Sequence, residues 1–348
     1  MYKYDVLMTC RRFILCLTLL SCEVLVIHAQ DIHWSQFGFS PMQVNPALTG
    51  IFRGDVRFSG NYRAQWVQVP VNYQTVGFGV DQVIYLKGIP NGRMAAGLLL
   101  NVDQAGDSEL QYVQVAANGS YTIQLGQRHF LGAGIQIGVL QRSLSFGNLT
   151  FDQQYNGQVY DPSLPSGEQF DGNASGFRPD VGVGVNYRYQ IPKRRTTLDA
   201  GLGVFHLTEP DLSFFNQGYA PVERRFSWYG LLTTKITSGV DVLGNAMWQM
   251  QGRSDEIVAS AGVRLHINTT HTREVALDLL FGYRTFDNED ALFPMCVVHY
   301  RAYRFGLSYD ATLSEFTVAN RGRGGPEFSF SYIFSKVRPL PLKICPIF

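Results

Sequence analysis

The strongest constraint on this chain is a period of two that recurs from near residue 53 to near residue 336. Val181, Val183, Val185, Tyr187 and Tyr189 alternate with Gly182, Gly184, Asn186 and Arg188. Leu131, Ala133, Ile135, Ile137 and Val139 alternate with Gly132, Gly134, Gln136 and Gly138. Tyr303, Phe305, Leu307 and Tyr309 oppose Arg304, Gly306, Ser308 and Asp310, and Phe328, Phe330, Tyr332 and Phe334 oppose Ser329, Ser331 and Ser335. Successive strand side chains point to opposite faces, so this is the pattern of two-faced strands. No amphipathic helix of ordinary length competes with it. About fourteen runs are centred near Phe58, Phe78, Leu98, Val115, Ile135, Val185, Leu202, Leu231, Ala246, Val263, Leu279, Val297, Leu307 and Phe330. Each is near the roughly 9–11 residues that a tilted strand needs to cross a bilayer.

Alternation alone does not say which face is buried, since a soluble sandwich gives the same signal. The connections discriminate. Links after even-numbered strands are short (86–92, 126–129, 191–195, 237–239, 268–273 and 300–302). Most links after odd-numbered strands are longer or more polar (63–72, 103–108, 142–178, 208–222, 251–254, 285–290 and 312–324). Short turns on one rim and long loops on the other are the habit of outer-membrane barrels. Aromatic residues at 13% and charged residues at 16%, below the usual quarter, fit the same class. The fold expected is therefore all-β: a transmembrane up-and-down antiparallel β-barrel of about fourteen strands, over residues 53–336. A soluble periplasmic β-sandwich is the rival. A net charge of +1 gives no support for a nucleic-acid partner.

The first 29 residues read as an export signal. Lys3, Arg11 and Arg12 precede an apolar core from 13 to 20, and Ala29 offers a small residue for cleavage. Leu19-Leu20-Ser21-Cys22 resembles a lipoprotein box, but a lipid at Cys22 would strand a second apolar run behind it. Cys10, Cys16 and Cys22 lie in this segment, which leaves Cys296 and Cys345 as unrelated thiols or a disulfide. The mature chain is thus expected in the cell outer membrane.

Residues 30–52 are apolar and aromatic through Trp34, Phe37, Phe39 and Met42. Pro41 and Pro46 argue against a helix there, because each lacks an N–H. Strand parity places this segment on the periplasmic side, directly before the first strand. There it serves as a plug for the barrel or as a dock for a partner. Residues 337–348 form a C-terminal periplasmic tail. The 143–179 loop is long enough for an external binding loop or a fold-in that narrows the pore.

These residues resemble the PorP/SprF family of outer-membrane proteins linked to type IX secretion in Bacteroidota. The resemblance rests on Ser35-Gln36-Phe37, Pro41, Asn45-Pro46-Ala47 and Gly50, then on Arg63-Ala64-Gln65-Trp66 with Thr75 and Asp81. It continues through Tyr160-Asp161-Pro162 with Pro165 and Glu168, and through His206-Leu207-Thr208 with Pro210. Gly306 to Asp310 (with Tyr309), Gly324-Gly325-Pro326-Glu327 and the terminal Cys345-Pro346-Ile347-Phe348 complete it. Ser40 and Ile347 depart from the usual pattern. The resemblance implies an anchor or display aid for a secreted adhesin with a type-B C-terminal domain, in the apparatus of protein secretion and gliding motility. It also implies a periplasmic peptidoglycan-binding lipoprotein, or another type IX component, as partner, and outer-membrane lipid around the barrel.

No catalytic, cofactor or metal site emerges from the residues. The histidines after the export segment (His33, His129, His206, His266, His271 and His299) lack ligand spacing. The Gly-x-Gly runs at Gly77, Gly132, Gly182 and Gly201 lack a following helix and read as strand glycines. The inward set, Asp180, Arg188, Asp199, Arg264, Asp278, Arg284, Arg304 and Asp310, carries both signs. Buried charges must pair or stay wet. A lumen crossed by ion pairs suits a scaffold better than an open porin. The reading is a non-enzymatic anchoring barrel, with an outer-membrane diffusion channel for small solutes as the alternative.

Overall fold

A computed structural model describes residues 31–65, 73–85, 92–106, 108–145, 149–167, 175–191, 194–214, 219–269, 274–286, 290–313 and 323–336. The export segment, Gln30, Trp66, Glu168, the 337–348 tail and Cys345 lie outside them. The strands are β1 (Val56–Gln65), β2 (Tyr73–Ile84), β3 (Gly92–Ala105), β4 (Leu110–Gln124) and β5 (His129–Ser143). Then come β6 (Arg178–Ile191), β7 (Thr196–Phe205), β8 (Arg225–Lys235), β9 (Val240–Gln251) and β10 (Ser254–Asn268). The series ends with β11 (Val275–Phe286), β12 (Ala291–Tyr300), β13 (Tyr303–Thr312) and β14 (Arg323–Phe334). Each pairs antiparallel with its sequence neighbours, and β1 pairs with β14 in a register that sets Phe58 opposite Tyr332, closing the barrel. Every expected strand centre falls within one of these strands.

Burial settles which face is which. Leu98, Ile137 and Phe281 are 59%, 58% and 57% exposed, whereas Asn101, Asp241 and Glu327 are wholly buried. A water-soluble sandwich would invert this, since it buries its apolar face. Apolar side chains outward and polar ones inward suit a hydrocarbon surround, and closure leaves no unpaired strand edge in the lipid. The protein is a membrane β-barrel.

Of the two places expected for the segment before β1, the structure shows the plug: residues 31–52 fold up into the lumen. Asp31 reaches the long-loop end, where its N–H donates to Gln251 Oε1 at 3.0 Å. From there the segment descends to Asp55 at the short-turn end, whose N–H donates to Phe334 O. The interior is less uniformly polar than the alternation implied. Leu243, Met247, Val258, Leu280, Phe293, Met295 and Val297 face inward from β9 to β12 and form one buried cluster with Trp34, Phe37 and Phe39. These strands are apolar on both faces there because the plug's aromatic side chains pack against them.

At the long-loop end, Leu212 and Val222 are buried against Leu140 of β5.

Candidate functional site

The site is the luminal segment and the wall that grips it. Its local structure is a series of single turns: a 3-10 turn at Phe37–Phe39, an α-turn at Pro41–Val44 and a 3-10 turn at Pro46–Leu48. Each proline opens a turn, where its missing N–H would have no partner and its fixed φ is already helical. So the prolines begin short helices here, contrary to their reading as helix breakers. Asn45 stands between the two later turns in extended conformation and caps the second by accepting from Ala47 N at 2.8 Å. Gly50, at φ +74°, then reverses the chain in a region that L side chains disfavour.

Three polar clusters fix this segment to the wall. At the long-loop end, the Asp31 carboxylate lies 2.8 Å from Arg225 Nη1 and 3.0 Å from His206 Nε2. His206 Nδ1 is 3.1 Å from Asp180, within ion-pair range though off a good hydrogen-bond line. Arg225 also donates to Gln43 O at 3.0 Å and lies over the Phe205 ring. Burial opposes the charge on His206, but the close Asp180 and Asp31 carboxylates outweigh it and raise the pKa to about 9. Burial likewise works against the Asp31 carboxylate, yet Arg225 and His206 hold it well below the usual carboxylate range.

The second cluster joins β1, β11, β13 and β14. Glu327 accepts the N–H groups of Ser35 and Gln36 at 2.9 and 2.8 Å. Asp310 accepts from Ser35 Oγ and ion-pairs with Arg63 at 2.7 Å and Arg284 at 2.9 Å. Gln36 Nε2 donates to Ser308 Oγ and to Glu327 O. The third lies lower, where Asp81 accepts from Gly50 N and pairs with Arg57, all at 2.7 Å. Between them, Asn45 Nδ2 donates to Val185 O at 2.8 Å, and Trp34 Nε1 donates to Gln43 Oε1 at 2.7 Å.

The wall makes room for this backbone with glycines. A Cβ at Gly134 would overlap Pro46 and Ala47, one at Gly184 would overlap Asn45, and one at Gly203 would press on Val44 O. At Gly77 it would crowd the Trp34 ring, and at Gly97 the Met42 sulfur. The strand glycines therefore form the seat of the plug.

Of the sequence-selected residues, Gln36, Pro41, Asn45, Pro46, Gly50, Asp81, His206 and Asp310 come together around the plug. Gly325 faces inward on β14, where a Cβ would overlap the Ala64 carbonyl of β1. Tyr309 points outward, 43% exposed. Tyr160, Asp161 and Pro162 turn within their own loop, with Asp161 N donating to Gln154 O at 2.8 Å and Asp161 Oδ1 accepting from Ser163. Sequence reasoning missed Glu327 as an anchor, the Arg225–Asp31 pair and the inward apolar patch. A signal existed for the patch, because Leu280 and Phe293 break the polar phase of their strands.

Beside the plug the lumen is not filled. A cavity of about 760 Å³ runs along β6 to β14 and β1, from Phe37 and Phe39 down to Glu274, Arg301 and Ser335 at the short-turn rim. Its inner wall is largely apolar (Leu231, Leu243, Leu280 and Val297), with Asn245 donating to Ser260, and its lower wall carries the Arg264–Asp278 pair at 2.6 Å with His299. Among the described residues no group of three His, Cys, Asp or Glu side chains is placed to hold a metal ion.

A sequence profile described as "Type IX secretion system membrane protein PorP/SprF" matches residues 26–332. The chain belongs to this family. No curated protein matches it. Among solved structures, the barrel is similar to a "CymD monoaromatic hydrocarbon channel" with TM-score 0.50 and 11% identity, covering 86% of this chain and 94% of that one. It is also similar to a FadL homologue from Pseudomonas aeruginosa, with TM-score 0.50 and 12% identity over 83% and 93% of the two chains. At such identity the likeness is one of fold. The PorP/SprF match spans both the luminal segment and the barrel that seats it.

Proposed function

We propose that the chain is a non-enzymatic outer-membrane scaffold of the type IX secretion and gliding apparatus, which holds a secreted adhesin with a type-B C-terminal domain at the cell surface. The observation that carries this reading is the plug that crosses the lumen. Residues 31–52 bond to wall strands on opposite sides of the barrel, from Asp310 and Glu327 to Val185. A barrel crossed by its own chain is stiff and occluded, which suits an anchor. In this reading the long loops engage the adhesin, and the short-turn rim meets a periplasmic peptidoglycan-binding lipoprotein or another type IX component. Deleting the gene releases the adhesin into the medium; normal surface retention in the deletion strain would overturn the anchoring role.

The cavity favours a second reading, a diffusion channel for small solutes, because it leaves part of the short-turn half of the lumen open. The FadL-type fold of the two solved barrels is a parallel for that reading. Planar-bilayer recording on purified protein separates the two. A stable, sizeable conductance of the wild-type barrel supports the channel, and its absence supports the scaffold.

A further inference from the structure

The 760 Å³ cavity has two chemically distinct ends. Its inner end is formed by the plug's Phe39 and by Leu231, Leu280 and Val297. Its mouth, on the short-turn rim, carries Arg53, Arg301 and Arg304. Other arginines in the wall are matched: Arg57 with Asp81, Arg188 with Asp199, and Arg264 with Asp278. Among the described residues, Arg53, Arg301 and Arg304 make no ion pair. Glu274 is the single lining carboxylate outside the matched pairs, so the mouth carries an excess of positive charge.

Arg304 is the informative residue. Its guanidinium lies 4.5 Å from the centroid of the Phe39 ring, which marks the boundary between mouth and apolar interior. The stacking holds the planar group in place, and its Nε is buried without a hydrogen-bond acceptor. A guanidinium beside an apolar chamber with no carboxylate partner is costly, and a ligand carboxylate in the cavity would pair with its terminal nitrogens through charge-assisted bonds. The apolar wall above would bury the body of such a ligand with a gain of roughly 25 cal/mol per Å².

We infer that this cavity is a binding site for a small amphipathic carboxylate, its apolar body lodged between Phe39 and Leu280 and its anionic group at Arg304. The ligand enters from the short-turn rim without moving the plug. The site stands whether or not the barrel anchors an adhesin, and its failure would leave that role untouched.

The test uses the full chain in lipid nanodiscs and two probes of equal shape, 4-phenylbutanoate and 4-phenylbutan-1-ol, followed by calorimetric titration. The acid binds at least about tenfold tighter than the alcohol, the size of one charge-assisted hydrogen bond. Arg304→Gln removes that preference while leaving the alcohol unchanged. Leu280→Trp, which fills the inner end, weakens both probes and serves as the check if the arginine variant does not fold. Equal binding of acid and alcohol, absence of binding by the acid, or a preference that survives Arg304→Gln would each overturn the inference.

Discussion

His206 Nε2 stands 3.0 Å from the Asp31 carboxylate, joining the start of the luminal segment to a residue 175 positions later in the chain. With Asp180 on its other side, this imidazole is held between two acids at the long-loop end. The contact ties the plug to the wall at the end where Leu212 and Val222 are buried against Leu140.

That placement makes the plug sensitive to alkali. His206 has a pKa of about 9 in the folded protein against an ordinary 6.5, so its charged pairing stabilises the fold fully below pH 6.5. The contribution, on the order of 3 kcal/mol, fades as pH rises through 9. Thermal unfolding in detergent between pH 6 and pH 10 is expected to show a falling midpoint that His206→Gln flattens. Asp31 acts in the opposite sense. Its depressed pKa supports the fold above the usual carboxylate range, and that support is lost as pH falls below it.

The glycine seat gives a second expectation. Gly134→Val drives a side chain into the backbone at Pro46 and Ala47, which has nowhere to retreat. The luminal segment is expelled, residues 31–52 become open to protease, and bilayer recordings gain a conductance. Ala133→Val, one position away on the outward face, leaves all three unchanged.

Asp81 bonds both the plug and the wall, through Gly50 N and Arg57. Asp81→Asn leaves a buried guanidinium without its countercharge, at a cost of about 3–5 kcal/mol. Urea unfolding monitored by the heat-modified gel shift of folded barrels reports it. Replacing both partners with apolar residues, Arg57→Met with Asp81→Leu, recovers most of the loss while the Gly50 N–H stays unpaired.

The burial pattern predicts opposite outcomes for adjacent leucines. Leu279, 45% exposed, faces lipid, and Leu280 faces the cavity. Leu279→Arg costs about 2–4 kcal/mol at mid-membrane depth. Leu280→Gln, at the wall of the cavity and away from the hydrocarbon, costs less. Equal losses in a folding titration into lipid vesicles would show that the two faces are misassigned.

The strands were legible in the sequence because a sheet writes its two faces directly into residue parity. The Val183–Val185–Tyr187 run and its glycine partners needed no tertiary information to be read as a strand. Loop asymmetry then separated the two rims. Asn45-Pro46 is a turn signal in the sequence itself, since capping is a local property. Parity did not reveal which face met water, and it was least informative from β9 to β12, where Leu243, Leu280 and Met295 are apolar on the inward side.

What the sequence determined alone was therefore the two-residue period, the number of strands and the turns, all set by neighbours along the chain or across a hairpin. Only the tertiary structure decided that residues 31–52 occupy the lumen, that glycines on β2, β3, β5, β6 and β7 exist to receive them, and that Glu327 and Arg225 are anchors. Those contacts join residues such as Ser35 and Glu327, 292 positions apart. Nothing local encodes such a pairing, because it arises only once β1 meets β14 and the closed wall surrounds the plug.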